Sequence, residues 1–169
     1  MSFSSDIKKE LCDVRELSPQ QAEAMLYGIM YASRMDEGRP LIQTENIDLM
    51  NAAAELIRAV FPNVRTGIVR LVKNSGSLYT LKIRSGWEDI AERFGDFSSI
   101  SREAVSGGDE ESGAFLRGVF VSCGSVTDPN KEYHLELVLP ENDRTPALLD
   151  FIAVSYTHLR AHETAANLV

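Results

Sequence analysis

Apolar residues recur at steps of three and four through Ile47, Met50, Ala54, Ile57 and Phe61, the spacing of one helix face, and Pro62-Asn63 closes the run. Two other stretches have a different texture. Residues 22–33 and 113–123 are apolar on nearly every side, which predicts helices buried between other elements. The first is opened by Ser18-Pro19-Gln20-Gln21, with a capping serine, a proline at the first helical position and a glutamine to complete a capping box. Shorter helices are predicted over 5–13, opened by Ser4 or Ser5, over 87–94, with Trp87, Ile90, Ala91 and Phe94 on one face, and over 142–152.

Strand patterns fall between them. Residues 67–73 and 78–84 read as a β-hairpin joined by the four-residue loop Asn74-Ser-Gly-Ser77. In its second arm Tyr79, Leu81 and Ile83 face one side and Thr80, Lys82 and Arg84 the other. Residues 41–44 and 133–139 are further strand candidates, and 96–111, rich in serine, glycine and acid, reads as a linker. The pattern is α+β.

The pattern also repeats. Ala24, Leu26, Gly28 and the small pair Ala32-Ser33 recur as Ala114, Leu116, Gly118 and Ser122-Cys123, each 90 residues on. A glycine inside a helix costs roughly 1 kcal/mol against alanine. Two glycines at matching places, each followed four residues later by a small side chain, predict helices whose backbones approach closely along a pseudo-twofold seam of Gly28, Ala32, Gly118 and Ser122.

Composition narrows the function classes. The 169 residues are 44% hydrophobic and 25% charged, ordinary globular proportions. No stretch approaches the roughly 18 apolar residues of a membrane span, and the polar N-terminus is unlike a secretory signal. Cys12 and Cys123 stand alone without metal-ligand spacing, so a reducing, cytoplasmic setting is expected, with no cofactor and no metal. The chain carries a net charge of −8, yet residues 65–84 hold Arg65, Arg70, Lys73, Lys82 and Arg84 with no acid. Take out that +5 and the remainder carries −13.

The glycine-bearing helices resemble a degenerate form of the motif of LAGLIDADG homing endonucleases. The block Ala114-Phe-Leu-Arg-Gly-Val-Phe-Val-Ser-Cys-Gly-Ser-Val-Thr-Asp-Pro129, followed by Tyr133-His-Leu-Glu136, is similar to the bacterial WhiA family, as is the opening Met1-Ser-Phe-Ser-Ser5. The resemblance covers residues 1–153 and implies a DNA-binding transcriptional regulator tied to cell division, sporulation and chromosome segregation, associated with the nucleoid. It also implies an N-terminal domain of two LAGLIDADG-like α/β repeats, then a helix-turn-helix domain that makes much of the contact with double-stranded DNA. On that scheme residues 1–18 are an N-terminal helix, 19–95 the first repeat, 112–153 a truncated second repeat, and no helix-turn-helix follows. Residues 154–169 resemble translated sequencing-adapter read-through and are expected to lie outside the family pattern. Truncation is expected to uncover the apolar faces of Gly118–Val121 and Leu148–Ile152.

The nucleases of this class end each motif helix with a carboxylate that holds a divalent metal. Matched by the resemblance, those positions are Ser33 and Cys123, which lack the oxygen anions that hard cations need. No metal-dependent cleavage is expected. His158 and His162 share a helix face, but Glu163 is misplaced for a metalloprotease motif and no third ligand is evident. The five cations of 65–84 are the candidate DNA contacts, or else a solvated sheet face. The alternatives to a DNA-binding scaffold are a protein-interaction module and, requiring acids that are missing, an active nuclease.

Overall fold

A computed structural model describes residues 2–105, 107–131 and 134–166, the side chains of 142 and 156–166 excepted. Helix α1 (Phe3–Leu11) is capped by Ser2, whose hydroxyl accepts from the Ser5 N–H at 3.2 Å. The cap is therefore not Ser4 or Ser5. Ser4 serves instead as a docking point, its hydroxyl accepting from the Val126 N–H at 3.3 Å. Helix α2 (Pro19–Tyr31) opens with the reciprocal capping box of Ser18 and Gln21.

Between α2 and the next long helix lie β1 (Arg34–Asp36), β2 (Arg39–Leu41) and β3 (Gln43–Thr44). The first two form a small hairpin that composition does not reveal. Its two-residue turn puts both Glu37 and Gly38 at positive φ, the conformation that matches the twist of paired strands. Helix α3 (Ile47–Val60) is capped by Asn46 and buries Met50, Ala54 and Ile57, whereas Ile47 at its start is exposed. Strands β4 (Arg65–Lys73) and β5 (Gly76–Ser85) follow, then α4 (Trp87–Phe94) with Ile90 and Phe94 buried. Lys73 pairs with Gly76, so the connection is a two-residue turn, not a four-residue loop. The antiparallel sheet runs β3-β5-β4.

Residues 96–111 do more than connect. Phe97, Ala104 and Val105 are buried, and the Phe97 ring stacks on Tyr27 with centroids 5.4 Å apart. The last of these residues already belong to helix α5 (Asp109–Cys123). Beyond it come β6 (Gly124–Val126), β7 (Leu135–Leu137) and α6 (Thr145–Ala166), the last preceded by a single 3-10 turn at Asn142–Arg144. Residue 133, the expected start of the last strand, lies outside the described residues, as does residue 132. Helix α6 runs without a break through the segment after residue 154.

The core is the seam between α2 and α5. A Cβ added at Gly28 would lie 3.0 Å from the Val119 nitrogen and 3.1 Å from the Phe115 carbonyl carbon. One added at Gly118 would lie 2.9 Å from the Ile29 nitrogen and 3.1 Å from the Met25 carbonyl carbon. Residues 115 and 119 are 25 and 29 shifted by 90, so each helix meets its copy through the same atoms. That reciprocity is what a twofold axis between the helices requires.

The symmetry reaches outward from the glycines. Tyr27 donates its hydroxyl to the Ser99 carbonyl at 2.8 Å and accepts from the Ser101 N–H at 2.9 Å, pinning the segment that leads into α5. Its counterpart 90 residues on, Arg117, donates to the Leu11 carbonyl at 2.7 Å and the Asp13 carbonyl at 2.6 Å, pinning the segment that leads into α2. Strands β1 and β6 are also 90 residues apart, and each opens an antiparallel hairpin, Arg34 pairing with Leu41 and Gly124 with Leu137. The seam covers Gly118, Val119 and Val121, and Leu148 is buried too. The expected bare face is thereby reduced to the neighbourhood of Leu149 and Val154, which remain exposed.

Candidate nucleic-acid interface

Two places matter: the C-terminal ends of the paired helices, and the sheet face that carries the cations. At the end of α2, Ser33 is buried and donates its hydroxyl to the Ile29 carbonyl at 2.7 Å. Ser122 likewise donates to the Gly118 carbonyl at 2.9 Å, closing its own helix rather than reaching outward. Cys123 is half-buried, and burial pushes its thiol up to about 11. A pocket of about 130 Å³ lies between the two ends, lined by Ala32, Ser33, Ser122, Leu49 and Pro140 among others and by no carboxylate.

These residues do not fit a hard divalent cation, which needs anionic oxygens in its shell. Among the described residues no group of three or more His, Cys, Asp or Glu is placed to hold a metal. The side chains of His158 and His162 lie outside the described residues.

What does occupy the end of α2 is Arg144. Buried to 5% exposure, it donates to the Tyr31 carbonyl at 2.7 Å and the Ser33 carbonyl at 3.4 Å, and its guanidinium carbon sits 5.6 Å from the Tyr31 ring centroid. In return the Tyr31 hydroxyl donates to the Arg144 carbonyl at 2.9 Å. Orphan carbonyls and the negative end of a helix dipole both favour a cation there. Glu141 completes the clamp, accepting from the Met35 N–H at 2.9 Å. No local motif marks either residue, because their partners lie more than a hundred positions away.

The five cations divide between two faces. Cross-strand pairs set Ile68 against Leu81 and Arg70 against Tyr79, on the core side of the hairpin. Gly67 against Lys82, Val69 against Thr80 and Leu71 against Leu78 form the other, outer side. Lys73 and Lys82 belong to that outer side by alternation. Arg84 does too, because a Cβ at Gly67 would lie 2.8 Å from its Nη2 and 3.0 Å from its Cζ. Arg65 shares the alternation of Gly67, next to an irregularity in the ladder. Arg70 turns the other way: it donates to the Ser77 hydroxyl at 2.9 Å and lies 6.0 Å from the Tyr79 ring centroid. Charge alone groups Arg70 with the other four, whereas strand alternation sets it apart. Gln43 adds a polar contact on the outer side, donating to the Thr80 hydroxyl at 3.0 Å. Among the described residues, no ion pair engages any of the five.

Residues 112–167 match the family model of the WhiA LAGLIDADG-like domain, a match that includes much of the segment after residue 154. Relatives named "Probable cell division protein WhiA" are 31% identical in Clostridium novyi and 30% in Clostridium acetobutylicum, each alignment covering 90% of this chain. The chain belongs to the WhiA family. It spans about half the length of these curated relatives, 54% of each. Solved WhiA structures share the fold. Full-length DUF199/WhiA from Thermatoga maritima superposes with a TM-score of 0.64 at 23% identity, over 92% of this chain and 49% of that one. The N-terminal LAGLIDADG domain of WhiA gives 0.65 at 21%, over 91% and 73%. The WhiA-like architecture, α+β, thus rests on both relatives and fold. Among the described residues no helix is long and apolar enough to cross a membrane.

Proposed function

We propose that this WhiA-family chain is a non-cleaving scaffold that contacts double-stranded DNA through the outer side of β4 and β5, within a regulator of cell division. The observation that carries the reading is the grouping of Arg65, Lys73, Lys82 and Arg84 on one acid-free side of the sheet. Phosphate contacts of this kind position a protein on duplex DNA and weaken with salt as counterions are released. Helix ends that carry Ser33 and Cys123, neither of them a carboxylate, support binding without hydrolysis. The relatives' name supports the cell-division role, and the family resemblance extends it to transcription and sporulation, with a helix-turn-helix elsewhere in the whole protein sharing the DNA contact.

The test is a duplex titration by fluorescence anisotropy at several salt concentrations. The double variant Lys82→Glu/Arg84→Glu is expected to bind more weakly, and its salt dependence to be shallower by about two released counterions. Arg70→Glu, on the opposite side, is expected to leave that slope nearly unchanged. Equal slopes for the wild-type chain and the double variant would refute the interface.

A further inference from the structure

Strand β4 is the outer strand of its sheet, with no strand beyond it among the described residues. The Leu81 N–H donates to the Ile42 carbonyl at 3.0 Å, on the β3 side, so Leu81 exchanges no backbone hydrogen bonds with its β4 partner Ile68. The amide and carbonyl of Ile68 therefore point out of the sheet. By alternation so do those of Thr66, Arg70 and Val72.

Soluble proteins blunt such edges by shortening them, bulging them or inserting proline. This one is nine residues long, contains no proline, and leaves Ile68, Val69, Leu71 and Val72 at 44, 50, 57 and 71% exposure. Its guards are the cations Arg65, Arg70 and Lys73. They act against a second copy: antiparallel self-pairing about Val69 would set Arg65 opposite Lys73 twice, and like charges directly opposite destabilise a ladder. The same cations favour a strand that carries acids.

We propose that β4 is a docking edge for an extended segment of a protein partner in which acidic and β-branched residues alternate, added to the sheet as a further strand. Backbone hydrogen bonds supply the attachment, and Arg65 and Lys73, which share one face of the strand, select the acids that alternate along one face of the segment. The edge shares Arg65 and Lys73 with the outer side assigned to DNA, but its attachment is through backbone groups, so Ile68→Pro separates the two proposals.

The probe is the acetylated, amidated peptide Glu-Val-Thr-Val-Glu-Val-Asp, titrated into the isotope-labelled full chain and followed by NMR. Saturable binding is expected, with amide exchange slowed at Thr66, Ile68, Arg70 and Val72. A peptide with Gln and Asn in place of the acids is expected to bind about tenfold more weakly. Ile68→Pro removes one outward N–H and spares those directed at β5, so it too is expected to lose about tenfold. Its affinity for duplex DNA should stay within about twofold. If Ile68→Pro does not fold, Val72→Asp tests the same edge by charge repulsion at an exposed side chain. No peptide binding, binding unaffected by these variants, shifts confined to Lys82 and Arg84, or self-association through β4 instead would each overturn the proposal.

Discussion

At Gly28 and Gly118 the side chain is absent because the neighbouring backbone occupies its place. Alanine at either position would recover about 1 kcal/mol of helix propensity, but the added carbon meets the opposing helix within 3.0 Å. The clash is against backbone, which cannot rotate away, so Gly28→Ala and Gly118→Ala are each expected to cost about 3 kcal/mol, read as a shift in urea midpoint. The titratable core residues give a second prediction. Burial raises the Cys12 and Cys123 thiols to about 11 and the Tyr27 hydroxyl to about 12. Each of these groups gives up its proton at lower pH in the unfolded chain, near 9 for the thiols and 10 for the tyrosine. Their contribution to stability is therefore whole below about pH 9 and lost as pH rises through 11 to 12. Urea midpoints measured from pH 8 to 12 should fall across that window, and a flat profile would contradict the assignment. The glycines were legible in the sequence because they recur at a fixed offset. Tyr27, Arg117 and Arg144 were not, since each acts on backbone 72 to 113 residues away and carries no local signature.

Elements add what single residues cannot. The alternation Tyr79, Leu81, Ile83 against Thr80, Lys82, Arg84 separated the two sides of β5 correctly, with Leu81 buried and Tyr79 and Ile83 packed on the core. The same alternation sets Arg70 apart whichever turn joins the strands, because loops of two or four residues preserve the parity of the pairing. Turn length itself was harder to read, as Asn74-Ser75-Gly76-Ser77 offers turn formers throughout, and the positive φ of Gly76 belongs to the first residue of β5. The Arg144 clamp ties the turn before α6 to the end of α2. Arg144→Leu would leave the Tyr31 and Ser33 carbonyls without their donor, and is expected to cost about 2 kcal/mol. Hydrogen exchange should quicken at the Met35 amide, which Glu141 protects. Unchanged stability together with unchanged exchange would show that the clamp contributes little.

Seen whole, the molecule carries the start of one plan twice, once on each side of the α2–α5 seam, with a counterpart of the β4–β5 hairpin absent among the described residues. Gly28 and Gly118 meet each other's helix through equivalent atoms, Tyr27 and Arg117 each fasten the segment preceding the other's helix, and β1 and β6 leave the seam at matching positions. Such a frame brings two helix ends side by side, the arrangement in which paired carboxylates would hold a metal. Here the ends present Ser33 and Cys123, and the buried cation of Arg144 caps the first of them. The cations of the hairpin are carried by β4 and β5 rather than by those helix ends. On the proposed reading, binding and cleavage are separable in this fold, because the cations and the helix ends belong to different elements. Incubation of the clean chain with supercoiled plasmid and Mg²⁺ at low salt, resolved on an agarose gel, tests both halves together. The account predicts retarded plasmid that is still fully supercoiled once the protein is removed; nicked or linear product, or plasmid that migrates unretarded at saturating protein, would contradict it.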